Sequence, residues 1–107
     1  MTVRSLDTEA FDELIYDDEA EVLILFHRNG CGVCEEVVTT LEPLEEDYPD
    51  VVFGKVDVEA ENDLFSRFGL KGVPQVILFS EGNPVSTLSG RKDDMDYENA
   101  LESLIGE

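Results

Sequence analysis

Residues 22–34 read VLILFHRNGCGVC, an apolar run followed by a short polar turn and two cysteines. The first five residues are all apolar, and Val22 and Ile24 are β-branched. A short continuous apolar run of this kind is typical of a central strand covered on both faces, because a strand with one face in water alternates apolar and polar residues. The sequence therefore predicts a sheet with helices packed on either side.

The segments that flank this strand have the helical period. Before it, apolar residues recur at helical spacing after Asp7, which fits a helix cap, and we expect this helix to end near Asp17. After it, apolar residues follow Cys34 at offsets of three, four, seven and ten, which predicts a long amphipathic helix that ends before Pro49. Pro43 lies inside that helix and is expected to bend it.

The remaining segments complete an α/β pattern. Residues 51–58 and 76–79 are predicted strands, residues 63–68 a short helix closed by Gly69, and residues 85–88 a weaker strand. Only five residues, 80–84, separate the last two strands, so they must form an antiparallel hairpin. A final helix, capped by Asp93 or Asp94, is expected to end before Gly106. The predicted order is β-α-β-α-β-α-β-β-α, in one domain over residues 1–107.

The charge of the chain limits its partners. Seven basic residues against 26 acidic ones give a net charge of −19. Such a charge repels nucleic-acid backbones and anionic lipid, so we expect neither a nucleic-acid nor a membrane role, and partners with basic or neutral surfaces. No apolar run approaches the length of a spanning helix and the start of the chain lacks a signal-peptide pattern, so we expect a cytoplasmic, monomeric protein. Few lysines among so many acids also suit a protein adapted to high salt.

The chemistry of the sequence converges on Cys31 and Cys34. Two cysteines three positions apart on a first helical turn lie on one face, close enough to form a disulfide. The unpaired N–H groups and the positive end of the helix dipole favour a thiolate at Cys31, which we expect to be exposed and nucleophilic. Cys34 points into the apolar face and is expected to be buried and to resolve a mixed disulfide.

Two other interpretations of the cysteine pair are weaker. A merely structural or permanently reduced pair does not account for its position between a strand end and a helix start. A structural zinc ion needs four ligands, whereas the chain offers two cysteines and one histidine, so only a site shared across a dimer would complete the shell. We therefore expect no bound metal or cofactor.

With these motifs in place, the chain resembles the thioredoxin family over its full length. The segment Cys31-Gly32-Val33-Cys34 resembles the active-site turn with valine in place of the usual proline. Residues 55–58 resemble the family's lysine-bearing third strand, here with Lys55, and residues 72–74 resemble its cis-proline loop. Gly82 and Gly90 match the late glycines. The resemblance implies a thioredoxin-like fold with a central mixed sheet, a cis Pro74 beside the disulfide, and substrate binding by Val73, Pro74 and Gly90.

The sequence departs from the family pattern at several positions. Leu25 replaces the buried aspartate beneath the resolving cysteine, so Lys55 loses its usual partner, and both active-site tryptophans are absent. Glu35 and Glu36 follow Cys34 and oppose ionisation of a nearby thiol. Val33 frees the turn from a proline constraint and restores an N–H that can point at sulfur, so we expect a less strongly reducing disulfide.

His27 occupies one of the missing tryptophan positions and has two interpretations. As a functional group, its imidazole pairs with the thiolate or moves protons in place of the missing acid. As a surface histidine at a strand end, it has no role in the reaction, and the sequence identifies no group that would orient it.

The resemblance and the dithiol together imply a reductase of protein disulfides, served by a separate disulfide reductase. Cys31 attacks the target, Cys34 releases the reduced product, and a cytosolic location sets the direction of the reaction. The alternative is a thioredoxin-like adaptor whose cysteine pair is redox-silent, since the aspartate and the tryptophans are missing.

Overall fold

The computed structural model describes residues 3–17 and 20–105 of the chain. Within them, the strands are β1 (Arg4–Ser5), β2 (Val22–His27), β3 (Val52–Asp57), β4 (Gln75–Ser80) and β5 (Asn83–Ser89). The α-helices are α1 (Thr8–Asp12), α2 (Gly32–Asp47), α3 (Asn62–Arg67) and α4 (Asp94–Ile105), and a π-helical turn, Glu13–Asp17, follows α1. The order of strands and helices is the predicted one.

The strands form one mixed sheet in the order β1-β3-β2-β4-β5. Strands β1 and β2 run parallel to β3, whereas β4 runs antiparallel to β2. Strands β4 and β5 form the predicted antiparallel hairpin. Strand β2 lies at the centre, and residues 22–26 are completely buried, as the unbroken apolar run indicates.

Each face of the sheet carries its own apolar core, because successive side chains of a strand point to opposite faces. On one face, Leu23 and Leu25 pack with apolar residues of α2 and α4. On the other face, Val22, Ile24 and Phe26 pack with residues from the segment of α1 and the π-helical turn, and from α3. The thioredoxin-like α/β fold, a mixed sheet with helices on both faces, is therefore confirmed.

The structure refines several predicted boundaries. The first helix changes from α to π hydrogen bonding at Glu13, although Asp7 caps it as predicted by accepting a 2.8 Å hydrogen bond from the N–H of Ala10. Asp93 immediately precedes α4, and its N–H donates to the Asp96 carboxylate, which favours Asp93 as the cap. Gly106, before which α4 is predicted to end, lies outside the described residues. In the described ranges, no helix is long and apolar enough to cross a bilayer.

Candidate active site

The ends of neighbouring strands bring the predicted site to one edge of the sheet. The register pairs His27, the last residue of β2, with Asp57, the last residue of β3. On the other side of β2, Phe26 lies opposite Gln75, the first residue of β4. The turn that leaves β2 toward α2 and the loop that enters β4 therefore meet at this edge.

The turn between β2 and α2 presents the cysteine pair. Gly30 has φ +76°, a left-handed conformation that favours glycine, and Cys31 then takes the N-cap position of α2. The N–H of Cys34 donates a 3.1 Å hydrogen bond to Sγ of Cys31. The two cysteines form a disulfide, with their Cα atoms 5.2 Å apart. The local backbone thus aims a helix-terminal N–H group at one sulfur of the pair.

The two cysteines differ in exposure as predicted. Cys31 is partly exposed, and its neighbours Gly32 and Val33 are exposed, with Val33 at 44%. Cys34 is only 2% exposed, one turn further into α2. Solvent and a large substrate can therefore reach the first sulfur and not the second.

The loop before β4 carries the cis peptide bond that the resemblance implied. The bond joins half-buried Val73 to buried Pro74. The carbonyl oxygen of Pro74 accepts a 2.9 Å hydrogen bond from the N–H of Gly90, which has φ +76° and follows β5. Within the described residues, the backbone groups of Val73 make no hydrogen bond. Val73, Pro74 and Gly90 are therefore brought together, and Val73 keeps a free backbone edge.

Leu25 and Lys55 confirm the departure from the family pattern. Leu25 is completely buried and lies opposite Lys55 in the β2–β3 register. No described carboxylate lies within 4.0 Å of the Lys55 ammonium group. The partner that the family would provide is absent, and an aliphatic side chain fills its place.

His27 lies beside Lys55 in a polar cavity of about 390 Å³, which Asp57 and Glu61 also line. Burial and the positive charge of Lys55 lower the pKa of His27, and the carboxylate of Asp57 only partly offsets this. The imidazole is therefore neutral at neutral pH, and a cationic pairing of His27 with a thiolate is not favoured. The sequence-based prediction did not identify Asp57 as a neighbour of His27, although the two residues lie at the ends of paired strands.

Two expectations about the surroundings of the cysteines need correction. The donor to Cys31 Sγ is the N–H of Cys34 and not that of Val33, so replacing a proline at position 33 adds no hydrogen bond to the sulfur. Glu36 forms an ion pair with Arg91, so its charge opposes ionisation less than the sequence suggested. Arg91 is 55 positions away in the chain, and no local pattern predicts that contact.

The described residues contain no group of three or more His, Cys, Asp or Glu side chains arranged to hold a metal ion. The redox-active groups of the site are the two cysteine sulfurs. A disulfide at the start of a helix, with one sulfur exposed and a cis-proline loop at the same sheet edge, defines a thiol-disulfide oxidoreductase.

Comparisons with known proteins agree with that class. The family model described as Thioredoxin matches residues 2–103. A protein named as a thioredoxin 2 in Streptomyces coelicolor is 36% identical over 95% of this chain and 72% of its own length. A thioredoxin of Chlamydia pneumoniae is 31% identical over 92% of this chain and 95% of its own length. The chain belongs to the thioredoxin family.

A solved structure supports the same assignment. A mutant thioredoxin from Halobacterium salinarum NRC-1 superimposes with a TM-score of 0.87 at 28% identity, over 96% of this chain and 90% of that one. As a member of this family, the protein uses its own redox-active disulfide and needs no cofactor for thiol-disulfide exchange.

Proposed function

We propose that the protein reduces disulfides in other proteins, with Cys31 as the attacking thiolate and Cys34 as the resolving thiol. The observation that carries this proposal is the asymmetry of the pair: Cys31 is partly exposed and accepts the N–H of Cys34, whereas Cys34 is 2% exposed. A hydrogen bond to sulfur at a helix start favours the thiolate, which is the reactive form.

The reaction proceeds in two exchange steps. The Cys31 thiolate attacks one sulfur of the target disulfide, forms a mixed disulfide and releases the other target sulfur as a thiolate. Cys34 loses its proton and attacks Sγ of Cys31, which breaks the mixed disulfide, forms the Cys31–Cys34 disulfide and releases the second target thiolate. Two electrons pass from the dithiol to the target, and the two protons lost by the cysteines balance the two target thiols that form.

The second step lacks the acid that the family pattern places beneath the resolving cysteine. Leu25 is buried and aliphatic, so it cannot accept a proton from Cys34. The target thiolate released in the first step can accept this proton, because an ordinary thiol has a pKa of about 8.5. We therefore expect resolution to be slower than attack.

The free backbone edge of Val73 is where an extended target segment is expected to pair. Its half-buried side chain precedes Pro74, and the bond between Gly90 and Pro74 fixes the loop. Backbone pairing of this kind recognises a chain regardless of its side chains, which suits an enzyme with several protein substrates.

We propose that the protein works in the cytoplasm. Thiols are kept reduced in that compartment, so the reaction runs toward reduction of the target disulfide. The proposal also includes a separate disulfide reductase that returns two electrons to the Cys31–Cys34 disulfide. We propose a monomer, because a charge of −19 repels a second copy of the chain.

Insulin reduction tests the proposal against the redox-silent adaptor. With dithiothreitol as reductant, the wild type should accelerate insulin precipitation, and Cys31→Ser should return the rate to that of dithiothreitol alone. Cys34→Ser should accumulate mixed disulfides with its targets, which mass spectrometry can identify. Equal background rates for the wild type and Cys31→Ser would favour the adaptor.

A further inference from the structure

The few basic residues of this acidic chain are unevenly placed. Four of the seven flank the active-site loops: Arg28 stands three positions before Cys31, Lys71 two positions before Val73, and Arg91 and Lys92 directly after Gly90. Because these loops meet at one edge of the sheet, these four cations are grouped near the active site.

Arg28 and Lys71 share a groove with Val73. The groove has a volume of about 480 Å³, and its lining includes Arg28, Lys71, Glu59, Val58, Phe65 and Val73. Val58 is buried and Phe65 is half-buried, whereas Arg28 and Lys71 are exposed. An extended substrate segment that pairs with the backbone of Val73 would lie beside both Arg28 and Lys71.

These two cations have no acidic partner in the described part of the chain, where no carboxylate lies within 4.0 Å of either. Two other cations are paired, since Arg67 contacts Asp12 and Asp63, and Arg91 contacts Glu36, whereas Lys55 also has no described carboxylate within 4.0 Å. What distinguishes Arg28 and Lys71 is that they line the same groove, where together they offer a site for an external anion.

We propose that this groove selects protein substrates with acidic residues next to the target cysteine. Arg28 and Lys71 contact the carboxylates of the substrate segment, and the backbone of Val73 aligns that segment with Cys31. The inference rests on the proposed reductase function and names its preferred substrates. It also reverses, at this one surface, the preference for basic or neutral partners that the net charge indicates.

The distance of a protein charge from the groove determines how strongly that charge acts on a bound substrate. The Debye length is about 8 Å at physiological ionic strength, so the acids on remote faces are largely screened from a bound substrate. Glu59 lies in the same groove and opposes the two cations, which leaves one net positive charge among the groove's charged side chains. The preference for acidic segments is therefore moderate and sensitive to salt.

Three disulfide-linked peptides that differ only in having Asp, Ser or Lys beside the cysteine test the inference. The rate constant for their reduction by the reduced protein is measured below saturation and divided by that for dithiothreitol, which removes differences in intrinsic reactivity. At low salt, the normalised rates for the wild type should follow the order Asp, Ser, Lys. The preference should shrink in about 0.5 M NaCl, where the Debye length is shorter.

Variants identify the residues responsible. Replacing both cations, Arg28→Gln with Lys71→Gln, should lower the Asp/Ser rate ratio by about fivefold, as expected for two exposed charge pairs. Glu59→Gln should raise that ratio, and it provides a second test if the double variant folds poorly. Arg4→Gln is the matched control, because Arg4 is exposed beside Glu45 and Glu46, toward the other end of α2, and should leave the ratio unchanged.

The outcomes separate this inference from the function on which it rests. Reduction of the Ser peptide with no preference for the Asp peptide would overturn the inference and leave the reductase function intact. An Asp/Ser ratio that the double variant and Glu59→Gln leave unchanged would also overturn it. Failure of the wild type to reduce the Ser peptide would overturn the function and this inference together.

Discussion

At the scale of single residues, one helical turn gives two cysteines different surroundings. Cys31 occupies the cap of α2 and accepts the N–H of Cys34, while Cys34 belongs to the apolar face that packs on the sheet. The difference follows from position, because the N-cap residue meets unpaired donors and solvent, whereas the residue three positions later meets the core. The proposed roles of attack and resolution rest on this difference.

The half-buried imidazole of His27 leads us to expect that stability depends on pH. Burial and Lys55 lower its pKa, so the unfolded chain takes up a proton near pH 6.5 and the folded protein only at lower pH. The unfolded state binds more protons in that interval, so the free energy of unfolding falls as the pH decreases through 6.5. His27→Gln removes this contribution.

Denaturant unfolding of the wild type and His27→Gln at about pH 7.5 and 5.5 measures the effect. We expect the variant to gain stability relative to the wild type at the lower pH. The same difference between the two proteins at both pH values would show that His27 does not titrate differently in the folded state.

Replacing Val33 with proline should lower the redox potential of the Cys31–Cys34 disulfide. The Val33 side chain is 44% exposed and lies on the first turn of α2. A proline at this position would cost no helical hydrogen bond, because N–H groups of the first turn have no partner within the helix. Proline would restrict the reduced turn, so less freedom would be lost on closing the disulfide. Val33→Pro should make the disulfide more strongly reducing in equilibrium with glutathione, and an unchanged or higher potential would contradict this argument.

At the scale of secondary structure, α2 connects the reactive turn to the core. It runs for 16 residues from Gly32 to Asp47, and its buried side chains pack on the face of the sheet that carries Leu25. Pro43 lies within it, on the exposed side, and the helix continues beyond it. The predicted bend stays a prediction, but the missing N–H of a proline leaves the Thr39 carbonyl without its helical donor.

Pro43→Ala should therefore raise the free energy of unfolding, by about 1–3 kcal/mol, because alanine restores the hydrogen bond and removes the clash of the ring with the preceding turn. Pro49→Ala is the control, since Pro49 lies beyond Tyr48, the C-cap of α2, and should give no gain. Equal effects of the two substitutions in urea unfolding would mean that the helix has adapted fully to its proline.

The periodicity of the sequence predicted these elements but not all of their details. Apolar spacing located α2 and the buried strand β2, since both depend on which residues face the core. The apolar period does not distinguish α from π hydrogen bonding at Glu13, and the ion pair between Glu36 and Arg91 joins residues that are distant in the chain. Local patterns carry no information about such contacts.

At the scale of the whole molecule, the charge of −19 is the dominant feature. Acidic side chains repel one another across the exposed faces, and this repulsion is stronger in the compact folded state than in the expanded chain. Three lysines and four arginines offset little of it, and four of these cations stand beside the active-site loops. Screening by salt should therefore stabilise the fold.

Raising KCl from about 0.05 M to 1 M shortens the Debye length to about 3 Å. We expect the thermal unfolding midpoint to rise by about 5 °C or more, which corresponds to roughly 1 kcal/mol for a chain of this size. A triple variant, Glu13→Gln, Asp50→Asn and Glu81→Gln, removes three exposed acids and should show a smaller rise. A midpoint insensitive to KCl would contradict the adaptation to high salt.

Much of the site was predictable because the family motifs fall at fixed positions relative to the predicted strands. Cys31, Cys34 and Pro74 meet at one sheet edge once the strands are ordered. The groove beside Arg28 and Lys71 was not predictable, because its lining comes from four separate segments and its lack of acidic partners is a property of the folded surface.

Limited alkylation of the reduced protein is the most direct measurement of the central claim. Reaction with iodoacetamide at neutral pH for a short time, followed by peptide mapping, reports which sulfur is ionised and accessible. The account predicts carboxamidomethylation at Cys31 while Cys34 stays largely unmodified. Equal modification of both sulfurs, faster modification of Cys34, or no reaction at either would contradict it.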